Sequence, residues 1–401
     1  MTSQTMTFEQ TIDAPASQVY RAFTNASALR EWLCDVATTA PHVGGRIYMA
    51  WNSGFYTAGE YTGLESDQKV TFTWRGRDDP DVSQVHVIIT PQNGAVLLRL
   101  EHTTPKSGEE WAMTIEEIAQ GWRSSLENLA SVLDAGEDLR ITRRPMMGIY
   151  LGDFNSEIAA RLGVPTVNGA RLDGVAPGMG AQAAGLQGDD VFVSINGRTI
   201  NSFADIAPAI QGRQAGDVVP VVFYRGGEQR TVDMQLSRRP LPEIPATPAE
   251  LASQVRDMFD KVEADLQTLF QGVSDAEASF KPAPSEWSAK QTLAHLIQGE
   301  RYGRFIIAEM VGGFESWSDG WSGNLDEPLQ ATVLAYPTLA DLLVELQRNF
   351  TETVAFYAAL PESFRQRKST YWRMAFNALQ GPDHFYSHME QMRLAIAAAR
   401  Q

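Results

Sequence analysis

One cysteine, six histidines and no apolar run that spans a bilayer set the first limits on this chain of 401 residues. A lone Cys34 excludes an internal disulfide, and it reads as a small buried core residue rather than a reactive thiol. Basic residues are scarce: 33 Lys and Arg stand against 49 Asp and Glu, for a net charge of -16. Phosphate recognition needs clustered Lys and Arg, so this balance argues against nucleic acid and anionic membrane surfaces as partners. Crossing a bilayer takes about 20 consecutive apolar residues, and no segment reaches that. The opening MTSQTMTFEQTIDAPAS has neither a basic n-region nor an apolar h-region, so the expectation is no signal peptide and a cytoplasmic location. What remains is an ordinary core-forming composition, 43% hydrophobic and 20% charged, at a length that predicts two or three domains.

Two proline-marked seams, DAGEDLRITRRPMMG at 134–148 and SRRPLPEIPATPAEL at 237–251, divide the chain into three segments. In the first, FEQTIDA reads as a strand and VYRAFTNASALREWL as helix. Five period-two or apolar runs then follow with turn residues between them. WAMTIEEIAQGWRSSLENLASVLDAG reads as one long helix ending at Gly136, with the stripe Ile115, Ile118, Trp122, Leu126, Leu129 and Leu133 facing a sheet. That pattern is an α+β design.

The tokens Ala14-Pro15, Val19, Phe23, Trp32 and the Gly121-Trp122…Leu126 helix resemble the SRPBCC (START-like, Bet v-like) superfamily. The similarity is greatest to its branch named for activators of the heat-shock chaperone ATPase. The resemblance spans residues 1–140 and implies a helix-grip fold with a cavity for a small hydrophobic ligand. Candidate liners are Trp51, Phe55, Tyr61, Phe72, Trp74 and Trp122, and plain core is an equal reading for each of them. No nucleophile and base pair stands out here, so binding rather than chemistry is expected.

The second segment sets GARLDGV, DVFVSIN, VVPVVFYR and QRTVDMQL among glycine-rich turns, a small and mostly β domain. Gly185, Gly188 and Gly197 are predicted at turns of positive φ, and FADIAPAI as a short helix capped by Ser202. Ala181, Ala184-Gly185-Leu186, Gly188-Asp189 and Ile195-Asn196-Gly197 resemble the PDZ domain of bacterial HtrA type, over 145–238. The resemblance implies that backbone N–H groups of Met146, Met147, Gly148 and Ile149 hold the carboxylate of a C-terminal peptide added as an edge strand, with Ile206 and Ile210 lining a side-chain pocket. A module that only spaces its neighbours is the alternative. No Gly-x-Ser-Gly nucleophile precedes it.

The third segment is helical. TPAEL opens on a capping box at Thr247 and Glu250, Ser288 caps the next helix, TLADLLVELQRNFTETVAFYAAL follows, and RMAFNALQGPDHFYSHMEQMRLAIAAAR is read as one closing helix. Four amphipathic helices, with a long connection at 311–337, predict an all-α four-helix bundle over 248–401. His384 and His388 stand four apart on one helix face, the spacing that offers two ligands to one metal. His295, on the second helix, is the candidate third, because facing helices point side chains into a shared core. Two surface histidines and one satisfied core histidine are the alternative reading of that spacing.

EWS-x-x-x-x-LAHL, Glu286 to Leu296, and His384-x-x-x-His388-x-x-Gln391 resemble the DinB-like (YfiT-type) bundle superfamily. The resemblance implies a divalent metal, zinc or nickel first, on His295, His384 and His388. Gln391 would orient a histidine, ligand or water, or is a plain helix-surface residue, and Tyr302 would offer a hydroxyl or fill the core. Phe385 rather than Glu follows His384, so the base of a zinc protease is missing. Two functions remain open: a metal-dependent transferase or isomerase acting on a small thiol, and a non-enzymatic adaptor or stress-linked accessory protein that binds C-terminal peptides and a hydrophobic ligand.

Overall fold

The computed structural model describes residues 3–105, 109–284, 286–313 and 326–401, and the stretch 314–325 of the 311–337 connection lies outside them. The chain forms two compact units. One is discontinuous, Met1–Asp138 with Pro242–Gln401, and the other is Leu139–Leu241.

The discontinuous unit begins with β1 (Gln4–Ile12), α1 (Ala16–Thr24), α2 (Ala26–Trp32), β2 (Val36–Thr39), β3 (Arg46–Ala50), β4 (Tyr56–Glu65), β5 (Lys69–Gly76), β6 (Ser83–Gln92), β7 (Ala95–Thr104) and α3 (Glu109–Ala135). The seven strands form one antiparallel sheet in the order β1-β7-β6-β5-β4-β3-β2. Alternation drives its burial: Val85, Val87 and Ile89 of β6 and Val96, Leu98 and Leu100 of β7 face one core. The predicted stripe of α3 covers that core through Trp122, Leu126 and Leu129, with Ile118 and Leu133 at its margin.

The second unit contains α4 (Leu139–Thr142), β8 (Ile149–Gly152), α5 (Ser156–Leu162), β9 (Ala170–Val175), α6 (Gly180–Ala183), β10 (Val191–Ile195), β11 (Arg198–Thr199), α7 (Ile206–Ala209), β12 (Val218–Arg225) and β13 (Glu228–Gln235). Its sheet runs β13-β12-β10-β9-β8, with β11 paired to β10, so β8 is an edge strand. Ser202 and Asp205 form a capping box before α7. Gly185 and Gly197 have the expected positive φ; Gly188 does not. The left-handed residue of that turn is Asp189, and Gly188 instead sits where a Cβ would come within 3.2 Å of the Asp173 carbonyl oxygen.

The discontinuous unit resumes with α8 (Pro248–Leu269), α9 (Asp275–Ser279), α10 (Ala289–Gly312), α11 (Asp326–Ala335), α12 (Leu339–Ala358), α13 (Glu362–Arg365), α14 (Lys368–Leu379) and α15 (Gly381–Ala399). Four long helices, α8, α10, α12 and α15, share a core in which Phe259 and Phe350 stack with centroids 4.0 Å apart. The capping boxes at Thr247 and Ser288 both form. The closing helix read from the sequence is two helices: the chain breaks at Gln380, and Pro382, which lacks an N–H, sits in the first turn of α15. Among the described residues no single helix is long and apolar enough to cross a membrane.

The break frees α14 to dock against α2 and α3. Glu31 is buried and accepts hydrogen bonds from Ser369 Oγ (2.5 Å) and Thr370 Oγ1 (2.6 Å). Arg373 donates to the Glu31 carbonyl at 2.9 Å and pairs with the buried Asp138, and Lys368 Nζ reaches the Asp134 carbonyl at 2.7 Å. Glu31→Ala strands two buried hydroxyls that otherwise donate to one carboxylate. A loss of about 2–3 kcal/mol is expected, and urea unfolding of the full chain measures it.

Candidate metal centre and ligand sites

The bundle brings all three candidate imidazoles together. His295 projects from α10 and is buried to 2% exposure, while His384 and His388 leave one face of α15. His295 Nε2 lies 3.4 Å from His384 Nε2, and His388 Nε2 lies 3.1 Å from it. One nitrogen from each residue falls within 4.8 Å of the others. Phe385, between the two α15 histidines, turns the opposite way and packs edge-on against Phe259 and Phe350, which fixes the rotation of the helix. The Trp287 ring sits 5.1 Å from that of His295.

The donor set fits a divalent cation. Ligand bonds of about 2.0–2.1 Å put neighbouring nitrogens about 2.8–3.4 Å apart, from octahedral to tetrahedral geometry, and the two separations from His384 Nε2, 3.1 and 3.4 Å, fall in that range. Gln391 Oε1 lies 2.9 Å from His388 Nδ1, so that nitrogen donates and the Nε2 lone pair is left facing the centre. The His384 imidazole is held neutral: burial first, then the neighbouring His388 and His295, push its pKa down to about 4. Neutral imidazole is the form that ligates.

Tyr302 is 37% exposed and lines a different space, a cavity of about 490 Å³ between α1, α2 and the bundle. Arg21, Arg30, Arg367 and Arg373 reach it from three helices and a connecting turn, opposite apolar groups that include Phe259 and Phe385. No local pattern marks this cluster, which Glu31 and Glu300 share, because Arg21 and Arg30 lie far in sequence from Arg367 and Arg373 and meet them only through the docking of α14.

In the second unit, Met147, Ile149, Ile206 and Ile210 converge on one core, Gly148 is buried between the first two in the chain, and Met146 bridges to Ser237. The carbonyls of Met147 and Gly148 turn inward and accept from Ala181 and Ala176, both at 2.9 Å. Among the described residues no acceptor takes the N–H of Met147 or Gly148. A loop with carbonyls satisfied and consecutive N–H groups spare is a nest for an anion. β8 follows at once, with a free edge.

Between the first sheet and α3 lies a cavity of about 320 Å³. Trp51, Phe55, Trp74 and Trp122 line it. Tyr61 and Phe72 do not: both are core, and the Tyr61 hydroxyl donates to the Phe23 carbonyl at 2.9 Å. Asp79 and Glu117 join the lining unforeseen, since neither belongs to an apolar pattern. Behind the cavity, Trp122 Nε1–H donates to His102 Nδ1 at 2.9 Å, which leaves Nε2–H to donate to Ser83 Oγ at 2.7 Å, and Ser83 donates onward to the Trp74 carbonyl at 3.0 Å. His102 therefore gives Ser83 a proton contact rather than taking one, and the pair is structural.

Burial pushes the His102 pKa from 6.5 down to about 4. The folded value is the depressed one, so the neutral ring's stability is complete above pH 6.5 and is lost as pH falls toward 4. The expected loss across that window is roughly 3 kcal/mol. Urea unfolding at pH 7.5 and pH 4.5 checks it, with His102→Gln giving a flatter profile.

Family models match three stretches of the chain. "Activator of Hsp90 ATPase homolog 1-like protein" matches residues 13–134, "PDZ domain" residues 145–236 and "DinB superfamily" residues 258–392. The protein is thus a multidomain chain with an α+β module of the first kind, a mostly β PDZ module and a helical DinB module. It is similar to a probable periplasmic serine endoprotease DegP-like of Marinomonas sp., 27% identical over 35% of this chain and 30% of that one. It is also similar to a probable periplasmic serine protease do/HhoA-like of Haemophilus influenzae, 34% identical over 23% and 20% respectively. The chain spans less than a third of the length of either relative. Among solved structures, an HSP90 activator from Plasmodium falciparum is 24% identical, with a TM-score of 0.29, over 32% of this chain and 95% of that one.

Proposed function

We propose that this protein is a divalent-metal protein acting on a small thiol, as a transferase or isomerase, with a PDZ groove that recruits a C-terminal peptide. The observation that carries the reading is the convergence of His295, His384 and His388 on one point, with Gln391 orienting His388. Zinc or nickel suits three imidazoles. A cation held there would lower the pKa of a thiol and favour its thiolate, the nucleophilic form. The protein's own contribution is to hold the His384 imidazole neutral, to present His388 Nε2 as a lone pair, and to bury His295 against Trp287. Peptide hydrolysis is no part of this reading, because Phe385 occupies the place of a general base. The test is thiol conjugation by the purified chain before and after metal removal. Activity that depends on added zinc or nickel supports the reading, and activity indifferent to the metal ends it.

A second reading, a non-enzymatic adaptor, draws support from the spare N–H groups of Met147 and Gly148 beside the free edge of β8. In it the PDZ module tethers a partner's C-terminus while the cavity beneath α3 holds a small ligand.

A further inference from the structure

The lining of the cavity beneath α3 has a one-sided electrostatic character. Four aromatic rings, Trp51, Phe55, Trp74 and Trp122, share it with two carboxylates, Asp79 and Glu117. Among the described residues no Lys, Arg or His lines it, and the remaining liners are neutral: Leu33, Ser53, Thr114, Ile118, Gly121 and Ser125. Arg75, which acts on Asp79, and Arg77, which donates to the Gly54 carbonyl at 3.2 Å, both lie outside the lining.

The indoles are also oriented. An indole carries its positive end at the N–H and negative potential over its faces. The Trp51 N–H donates to the Leu33 carbonyl at 2.7 Å, and the Trp122 N–H to His102 at 2.9 Å. The Trp74 N–H is buried and, among the described residues, has no hydrogen-bond partner. Two of the three positive ends are thus tied to protein acceptors, and the lining offers aromatic ring carbon and carboxylate oxygen. Trp51 and Phe55 form one tilted pair with centroids 5.3 Å apart, and Trp74 and Trp122 another at 5.5 Å. A neutral hydrocarbon gains nothing from two carboxylates at its site, and an anion is repelled by them. An organic cation is attracted by both the rings and the acids.

We propose that this cavity is a binding site for a small organic cation of the quaternary ammonium class, held by Trp51, Phe55, Trp74 and Trp122 with Asp79 and Glu117 as counter-charges. The inference rests on the reading that the cavity takes a small ligand, and it replaces the hydrophobic ligand expected from the sequence with a charged one. About 320 Å³ accommodates a trimethylammonium group with a short chain.

The test is calorimetric titration of the full chain with acetylcholine and with its neutral carbon isostere, 3,3-dimethylbutyl acetate, as probes of equal shape. Acetylcholine is expected to bind at least about tenfold more tightly. Glu117 is exposed and Phe55 half exposed, so Glu117→Gln and Phe55→Leu leave the core intact. Glu117→Gln is expected to weaken acetylcholine by about threefold or more and to leave the isostere unchanged, and Phe55→Leu to weaken acetylcholine more than the isostere. Equal or tighter binding of the isostere overturns the inference and leaves the cavity reading standing. Binding of neither probe overturns both.

Discussion

His295→Ala is expected to lower the affinity of the full chain for zinc or nickel by more than about 100-fold, beyond the loss seen when only an orienting group is removed. His384 and His388 alone offer two nitrogens from one helix, and a two-ligand site on an exposed helix face competes poorly with water and buffer. The third nitrogen comes from across the bundle and from a side chain only 2% exposed, already ordered by packing. Its contribution is therefore made with little further loss of conformational freedom. Gln391→Ala is the graded control. It frees the His388 ring to adopt either tautomer and should cost about tenfold. Competition titration with a chromophoric chelator gives both numbers, and circular dichroism shows that the variants keep their helices. Equal affinities for the wild type and His295→Ala would remove the shared centre.

Gly148→Ala is expected to abolish binding of C-terminal peptides while leaving metal content unchanged. Gly148 has φ of +76°, which costs an L-residue about 1–2 kcal/mol. An added Cβ would also stand 2.3 Å from Met179 Cβ and 2.8 Å from its sulfur. The loop must shift, and with it the spare N–H groups of Met147 and Gly148 that are aimed together only in this conformation. A library of fluorescent peptides with free C-termini, titrated against both proteins, checks the loss. Peptides with amidated C-termini should fail on the wild type as well. Sequence-selective binding that survives the substitution would place the groove elsewhere.

Local patterns predicted most of what the fold uses. Alternation in β6 and β7, the apolar stripe of α3 and the capping boxes at Thr247 and Ser288 depend on neighbours a few positions away, and each formed as read. The pairing of His384 with His388 is likewise local, and His295 was reachable because α10 and α15 had to face each other in a bundle. Glu31 reads as a solvent-facing helix residue; only the docking of α14, 338 positions later, buries it under two hydroxyls. The break at Gln380 was hidden because an apolar pattern continues on both sides of Gly381 and Pro382, although Pro382 was the visible signal. Tyr61 and Phe72 read as cavity liners because aromatics look alike in sequence, whereas β-sheet register decides which of them reach the cavity and which stay in the core. Asp79 and Glu117 carried no pattern at all.

The most direct measurement is X-ray absorption on the full chain, loaded to saturation with zinc and then dialysed. The account predicts close to one metal per chain and a first coordination sphere with about three imidazole nitrogens at about 2.0–2.1 Å. Metal lost entirely on dialysis, or retained with one imidazole or none, would contradict it.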